Sequence, residues 1–172
     1  MKNISKKICV IFVLSVLIYI DQATKLLSAD RLRGQADYPL IPGILEFSYL
    51  ENTGAAFGIF SGRQSFLIGL TGLIMLFLVF KYFHIPRGGR YLPLKAAFIL
   101  IISGGIGNLI DRVSHGYVVD FIYFVPIDFP KFNAADCYVC IGMALLCILC
   151  FLIYKDEELG FLFTLRPRNK KR

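Results

Sequence analysis

Residues 95–113 read KAAFILIISGGIGNLIDRV, an apolar run that carries the polar side chains Asn108, Asp111 and Arg112 near its end. Three further apolar runs of similar length cover residues 8–27, 65–83 and 137–154. At about 1.5 Å per residue, a helix of this length crosses the roughly 30 Å hydrocarbon core of a bilayer. The sequence therefore predicts an all-α membrane protein with four transmembrane helices, organised as one domain over residues 1–172.

The chain has 172 residues, is 56% hydrophobic and carries a formal net charge of +7. Most basic residues precede the first run, lie between the second and third, or follow the fourth. The positive-inside rule therefore places both termini and the 84–94 connection in the cytoplasm, and the 28–64 and 114–135 connections outside. Because topology explains the basicity, we expect no nucleic-acid partner. The basic tail, about residues 156–172, is predicted to be cytoplasmic and disordered beyond Arg166.

The outward connection 28–64 is long for a compact membrane protein, and long loops are often functional. Gly34, Pro39 and Gly43 are turn signals in it. Residues 44–50 alternate in part between apolar and polar side chains, as a short strand does. The sequence therefore predicts a small extracytoplasmic β element and loop between the first and second helices.

The cysteine spacing of the fourth run superficially resembles a four-thiolate metal site. Cys137-x2-Cys140 and Cys147-x2-Cys150 both occur in it. On one continuous helix the two pairs lie about 15 Å apart, whereas thiolate ligands of zinc lie about 2.3 Å from the metal. The two histidines are predicted on opposite sides of the membrane. We therefore expect no metal and no other cofactor.

Two aspartates lie beside these hydrophobic segments, where a carboxylate is expensive and marks a functional site by default. Asp120 follows the third run and Asp136 begins the fourth. A helical hairpin would bring both to the same outer membrane level. Two close carboxylates tend to share one proton, and this state supplies the base and the acid that peptide hydrolysis by water requires. Asp120 and Asp136 are the predicted catalytic residues, although each could instead simply cap or anchor a helix end.

Further polar side chains fall at the same predicted depth. Asn108, Asp111 and Arg112 share one helix face, and Asp21 and Lys25 repeat the i, i+4 spacing. Asn52 begins a loop of small residues that includes Gly54, and Asn133 lies three residues before Asp136. Neutralised ion pairs Asp21/Lys25 and Asp111/Arg112 would make burial of these charges tolerable.

Other chemistries remain open at this point. Lys25 and Ser28 could form a Ser–Lys pair, but a lysine that extends toward the headgroups is the stronger interpretation. A proton- or ion-coupled transporter would also use buried carboxylates, yet the sequence shows no broken helix and no inverted repeat. A scaffold with structural ion pairs is a third possibility. It predicts that Asp120→Asn weakens folding and spares function.

Five blocks of this sequence, in order and with the four-span layout, resemble the signature blocks of bacterial lipoprotein signal peptidase (signal peptidase II). The blocks are Asp21-Gln22-Ala23-Thr24-Lys25, Asn52-Thr53-Gly54-Ala55-Ala56-Phe57, Gly107-Asn108-Leu109-Ile110-Asp111-Arg112, Val119-Asp120-Phe121 and Phe132-Asn133-Ala134-Ala135-Asp136.

The resemblance implies an aspartyl endopeptidase of the bacterial cytoplasmic (inner) membrane, with its active site near the extracytoplasmic face. Such an enzyme cleaves prolipoproteins just before the cysteine that carries a diacylglyceryl group, and globomycin-type cyclic peptides inhibit it. Membrane lipid is the surrounding partner, and we expect a monomer. The implied catalytic pair is Asp120 and Asp136. The implied substrate-binding or supporting positions are Asp21, Lys25, Asn52, Gly54, Asn108, Asp111, Arg112 and Asn133.

Overall fold

A computed structural model describes residues 2–55 and 59–163 of the chain. Within those residues, four helices are long and apolar enough to cross a membrane: Lys7–Leu32, Gln64–His84, Gly89–His115 and Ala134–Ile153. The helices are α1 (Lys2–Leu32), α2 (Gln64–His84), α3 (Leu92–His115), α4 (Ala134–Ile148) and α5 (Asp156–Phe163). The predicted set of four apolar helices is confirmed, and the chain is a multi-pass membrane protein.

The helices extend beyond the apolar runs because backbone signals, rather than hydropathy, determine where they end. At its 31 residues, α1 is about 46 Å long and continues past the bilayer thickness. Gly116, whose φ of 80° suits a left-handed cap, follows the last residue of α3, and its N–H donates to the Arg112 carbonyl. Asn133 caps the start of α4 and forms a capping box with Asp136.

The connections contribute an antiparallel sheet that is larger than predicted. Among the described residues its order is β1 (Tyr38–Ile41), β2 (Leu45–Asn52), β3 (Val118–Phe124) and β4 (Phe129–Phe132). Strands β1 and β2 are the predicted element between the first two helices. The all-α description missed β3 and β4, which follow α3. Strand β3 reads VVDFIYF, without the alternation that marks a half-buried strand.

Glycines allow α3 and α4 to approach closely, as the Gly104-Gly105-x-Gly107 stretch predicts. A Cβ at Gly104 would lie 2.8 Å from Cγ2 of Val139, and one at Gly142 would lie 2.7 Å from Cγ1 of Ile101. This contact aligns the end of α3 with the start of α4. Asn108 and Asp136 therefore come within hydrogen-bonding distance.

The other end of the bundle, away from the sheet, is closed by an apolar cluster. Helix α4 passes into a π-helical turn (Leu149–Ile153), and α5 then packs back onto the bundle. Arg90 holds α5 through an ion pair with Glu158, with Nη2 2.9 Å from Oε2. Helix α5 was not predicted, and the expected disorder beyond Arg166 concerns residues outside the described range. The cluster consists of Ile85, Leu94, Phe98, Ile102, Leu149, Tyr154, Leu159 and Phe161.

Candidate active site

Asp120 lies in the middle of β3, and its side chain is only 2% exposed. Strand β2 pairs with β3 and places Asn52 beside it. The Asn52 Nδ2 donates to Asp120 Oδ2 at 2.9 Å, and Asn133 Nδ2 donates to Oδ1 at 2.7 Å. Both oxygens of this buried carboxyl group therefore accept a hydrogen bond from a neutral amide.

Asp136 lies in the first turn of α4 and is half-buried. Its Oδ2 accepts from the Asn133 backbone N–H at 3.1 Å, and its own N–H donates to Asn133 Oδ1 at 3.1 Å. Its Oδ1 accepts from Asn108 Nδ2 at 2.8 Å. The predicted capping role of Asp136 is confirmed, and it coexists with a contact to α3.

Asn133 connects the two carboxyl groups, because it caps Asp136 and donates to Asp120. The carboxyl groups of Asp120 and Asp136 also interact electrostatically. Burial, and secondly the charge of Asp136, raise the pKa of Asp120 from 3.8 to about 6, although hydrogen bonds from Asn52 and Asn133 oppose the rise. A carboxyl group with this pKa can hold a proton beside an ionised partner, which is the state that acid–base chemistry at a carboxylate pair uses.

Lys25 is buried among carboxylates rather than extended toward headgroups. Its side chain is 3% exposed, and its Nζ lies 2.9 Å from Asp21 Oδ2 and 3.0 Å from Asp111 Oδ2. It also donates to Asn108 Oδ1 at 2.8 Å. The interpretation of Lys25 as a headgroup-seeking lysine is therefore wrong. Nor does it pair with Ser28, whose hydroxyl donates to the Thr24 carbonyl at 2.7 Å.

Gln22 also belongs to this network, although the sequence did not identify it as a site residue. Its Nε2 lies 3.1 Å from Asp21 Oδ2, 2.9 Å from Asp111 Oδ1 and 3.2 Å from the Gly107 carbonyl oxygen. Its i, i+3 relation to Lys25 places both on one face of α1 and could have identified it.

The two carboxylates around Lys25 also hold the backbone that carries the catalytic candidates. Asp21 Oδ1 accepts from the Ala135 N–H at 2.9 Å, and Asp111 Oδ2 accepts from the Val119 N–H at 3.2 Å. Ala135 precedes Asp136, and Val119 precedes Asp120. The ion cluster thus fixes the start of α4 and the start of β3 relative to α1 and α3.

Arg112 does not pair with Asp111, in contrast to the predicted ion pair. Asp111 is occupied by Lys25, and Arg112 Nη2 donates instead to the Gly54 carbonyl at 2.9 Å. The Gly54 N–H donates to Asn52 Oδ1 at 2.9 Å. Among residues 2–55 and 59–163, Arg112 Nε is buried and lacks a hydrogen-bond partner. Arg112 therefore holds the loop after β2 at the site.

The structure brings all the predicted site residues into one connected network. Within the described residues, no group of three or more His, Cys, Asp or Glu side chains has an arrangement that could hold a metal ion. The members of the network are Asp21, Lys25, Asn52, Gly54, Asn108, Asp111, Arg112, Asp120, Asn133 and Asp136, joined by Gln22.

The fold and the site define a multi-pass membrane protein with a hydrogen-bonded carboxyl pair at the sheet end of its helices. The family described as signal peptidase (SPase) II matches residues 13–152. The chain belongs to the signal peptidase II family, which is a family of peptidases.

Similar proteins agree with this assignment. The lipoprotein signal peptidase of Clostridium tetani (strain Massachusetts / E88) is 46% identical over 150 residues, covering 86% of this chain and 92% of that protein. The lipoprotein signal peptidase of Streptococcus pyogenes serotype M6 is 38% identical over 152 residues, covering 87% of this chain and 97% of that protein.

The fold is also similar to those of solved bacterial membrane enzymes. One, determined by the in meso method at 2.3 Å resolution, is 35% identical with a TM-score of 0.72, covering 84% of this chain and 87% of that one. Another, determined by the same method at 1.9 Å, is 35% identical with a TM-score of 0.73, covering 85% of this chain and 94% of that one.

Proposed function

We propose that this protein is an aspartyl endopeptidase that removes the signal peptide from diacylglyceryl-modified prolipoproteins. Asp120 and Asp136 activate the water that cleaves the bond just before the lipidated cysteine. The observation that carries the proposal is the bridge formed by Asn133, which bonds both carboxyl groups of the pair. The family membership and the names of the relatives, lipoprotein signal peptidases, support the substrate class.

The chemistry needs one ionised and one protonated carboxyl group. The carboxylate takes a proton from water as the water oxygen bonds to the scissile carbonyl carbon, and the carboxylic acid gives its proton to the carbonyl oxygen. The resulting diol collapses as the newly ionised carboxylate takes back a hydroxyl proton, the C–N bond breaks, and the carboxyl group protonated in the first step gives its proton to the departing cysteine nitrogen. No covalent enzyme intermediate forms.

The position of the pair suits a lipidated substrate. The acyl chains of a diacylglyceryl group remain in the bilayer and hold the neighbouring peptide bond at its surface. Asp120 and Asp136 lie at the sheet end of the membrane helices, where Arg112 anchors the loop after β2 through Gly54. We propose that the 28–64 segment lies over the bound peptide. Unchanged protection of this segment from exchange when an inhibitor binds would contradict that placement.

The proposal places the protein in the bacterial cytoplasmic membrane as a monomer, with both termini inside and the sheet end outside. Membrane-impermeant thiol labelling of intact cells tests this topology in a background without reactive native cysteines. Asp128→Cys, beside β4, is expected to react from outside, and Asp156→Cys only after permeabilisation. The reverse pattern would overturn the orientation. Globomycin-type cyclic peptides are expected to inhibit the enzyme.

The deciding experiment is cleavage of a purified prolipoprotein, with and without its diacylglyceryl group. The wild type is expected to cleave only the lipidated form. Asp136→Asn is expected to lose more than about 10³-fold in rate while it stays folded, a loss within the range of general acid–base catalysis. The matched control is Asp156→Asn, which changes an exposed aspartate of α5 and should cleave normally.

Undiminished cleavage by Asp136→Asn would remove this residue from the mechanism. Absence of cleavage by a well-folded wild type would reject the peptidase assignment and favour a transporter or a scaffold. Equal cleavage of lipidated and unlipidated substrate would reject the proposed substrate class and retain the chemistry.

A further inference from the structure

We propose that Asp136 is the ionised base that activates water, whereas Asp120 carries the shared proton and acts as the acid. This division of roles rests on the proposed function. It follows from an asymmetry in the surroundings of the two carboxyl groups. A buried chain of hydrogen bonds from Lys25 through Asn108 to Asp136, called the relay below, maintains this asymmetry.

The relay fixes the orientation of the Asn108 amide. A lysine ammonium can only donate hydrogen bonds, so the Asn108 atom 2.8 Å from Lys25 Nζ must be the oxygen. The amide nitrogen then faces Asp136 and donates to Oδ1 at 2.8 Å. An amide NH₂ has no lone pair to accept a proton from a carboxylic acid, so this contact favours the ionised form of Asp136.

The relay is held in place by its own buried partners. Asp21 and Asp111 both contact the Lys25 ammonium, and Gln22 joins the two carboxylates. Gln22 is thus a positioning residue, because it contacts Asp21 and Asp111 and not Asp136. The ammonium polarises the Asn108 amide and strengthens its donation to Asp136.

Asp136 has two further advantages as the anion. It lies in the first turn of α4, where the aligned peptide dipoles favour negative charge. Its Oδ2 also accepts from the Asn133 backbone N–H. Asp136 is half-buried, so water can reach it.

Asp120 also accepts from amides, but it does not lie at a helix terminus, and no backbone N–H among the described residues donates to it. It lies in a strand, its side chain is 2% exposed, and its partners are the neutral amides of Asn52 and Asn133. Deep burial away from a helix terminus favours the neutral carboxylic acid. When the pair shares one proton, Asp120 is therefore the residue that holds it.

The charged groups that face the pair are Lys25, Asp21 and Arg112, and they leave the division to the local surroundings of each carboxyl group. From α1, the charge of Lys25 acts on both carboxyl groups, and Asp21 also faces Asp136. Lys25 touches Asp21 and Asp111 directly and so offsets their charges first. From α3, Arg112 donates to the Gly54 carbonyl and makes no ion pair among the described residues, although its charge interacts with Asp136 and, less strongly, with Asp120.

The test is direct titration of the carboxyl group that remains when the other is replaced, and it does not depend on activity. Isotope-edited infrared spectroscopy of the purified full-length protein follows the C=O stretch of protonated aspartic acid against pH. Asp120, measured in Asp136→Asn, is expected to titrate about one pH unit or more above Asp136, measured in Asp120→Asn. An equal or reversed order would overturn the assignment.

A second comparison tests the relay. In the Asp120→Asn background, Asn108→Leu removes the amide donor and is expected to raise the titration midpoint of Asp136. Asn52→Leu in the same background is the matched control, because Asn52 contacts residue 120 and not Asp136. A midpoint unmoved by Asn108→Leu, or moved equally by the control, would remove Asn108 from the mechanism. Because neither comparison uses turnover, either can fail while prolipoprotein cleavage is retained.

Discussion

The two ends of the helix bundle bury their side chains in opposite ways. Away from the sheet, the apolar cluster around Leu94 and Phe98 closes the bundle by packing alone. At the sheet end, Asp21, Lys25, Asp111 and Asp120 are all at most 3% exposed. Apolar burial is favourable by itself, whereas buried charges require partners that satisfy each of them. The first end therefore contributes stability, and the second carries the groups of the proposed chemistry.

The contrast also shows how a membrane protein can tolerate buried charge. The ammonium of Lys25 has two carboxylate partners and one amide partner, so its donors are fully used. The excess negative charge is then offset by the Ala135 and Val119 backbone N–H groups. The bonds that offset this charge also position the elements carrying Asp120 and Asp136.

The largest effect expected is that of Lys25→Met, which leaves Asp21 and Asp111 as uncompensated buried charges. We expect a loss of about 3–5 kcal/mol in the free energy of unfolding, the range for breaking one side of a buried pair. Unfolding by SDS titration in mixed micelles measures it. Arg31→Met is the control, because Arg31 and its partner Asp30 are each 75% exposed. Its expected cost is at most about 1 kcal/mol.

The cause of this destabilisation can be isolated by neutralising the whole cluster. The variant Lys25→Met with Asp21→Asn and Asp111→Asn is expected to be more stable than Lys25→Met alone, because no buried charge then lacks a partner. Equal stability of the two variants would show that lost packing, rather than unpaired charge, is responsible.

At the apolar end, Leu94→Ala is expected to cost about 2–5 kcal/mol because Leu94 is completely buried and leaves a cavity. The folded fraction should cleave substrate at the wild-type rate, since the apolar cluster is remote from Asp120 and Asp136. Unfolding and turnover measured on one preparation test both statements. Phe151→Ala, at an 83% exposed position, is the control and should change neither. Lower turnover by folded Leu94→Ala would show that the two ends are coupled.

The sequence predicted the helices well because membrane crossing depends on the length and apolarity of local segments. It predicted the participants of the site for a similar reason, since polar side chains such as Asn108 and Asp120 are rare beside apolar runs. Helical spacing then placed Asp21 with Lys25 correctly, and the structure has that ion pair.

Local sequence patterns could not predict which side chains pair when their segments lie far apart in the chain. Spacing within α3 suggested an Asp111/Arg112 pair, but the approach of α1 gives Asp111 to Lys25. Arg112 consequently turns to Gly54, on another connection. Strand β3 was missed for the same reason, because its pairing with β2 involves residues far away in the chain.

Two glycines of α3 are expected to differ in how much stability an alanine substitution costs. A Cβ at Gly107 would collide with Asp21 Oδ2, and one at Gly105 with the Met75 side chain. Gly107→Ala must displace a carboxylate that holds Lys25 and Ala135, so we expect a cost of about 1–3 kcal/mol and lower turnover. Gly105→Ala meets a flexible thioether that can move, and should stay within about 1 kcal/mol. Equal effects of the two variants in unfolding and cleavage assays would contradict this distinction.

A change of pH is expected to have the smallest effect, because it alters the charge of Asp120 and Asp136 without altering the sequence. Because the acid must be protonated, kcat/KM is expected to fall about tenfold per pH unit once pH exceeds the pKa of Asp120, about 6. Bound peptide excludes water and should raise this pKa further, so the decline of kcat is expected at higher pH than that of kcat/KM. Steady-state cleavage of the lipidated substrate between about pH 4 and 9 measures the pH dependence of both kcat and kcat/KM.

Unfolding must be distinguished from titration in that experiment, and the sign of the pKa shift does so. The folded pKa of Asp120 lies above its ordinary value of 3.8, so between about pH 4 and 6 the folded protein binds more protons than the unfolded chain. This group therefore lowers the free energy of unfolding as pH rises through that interval and has no further effect above it. A loss of activity above pH 6 without further loss of stability would identify titration of the site. A kcat/KM that instead rises through pH 6 would mean that the active pair is fully ionised, and would reject the shared proton.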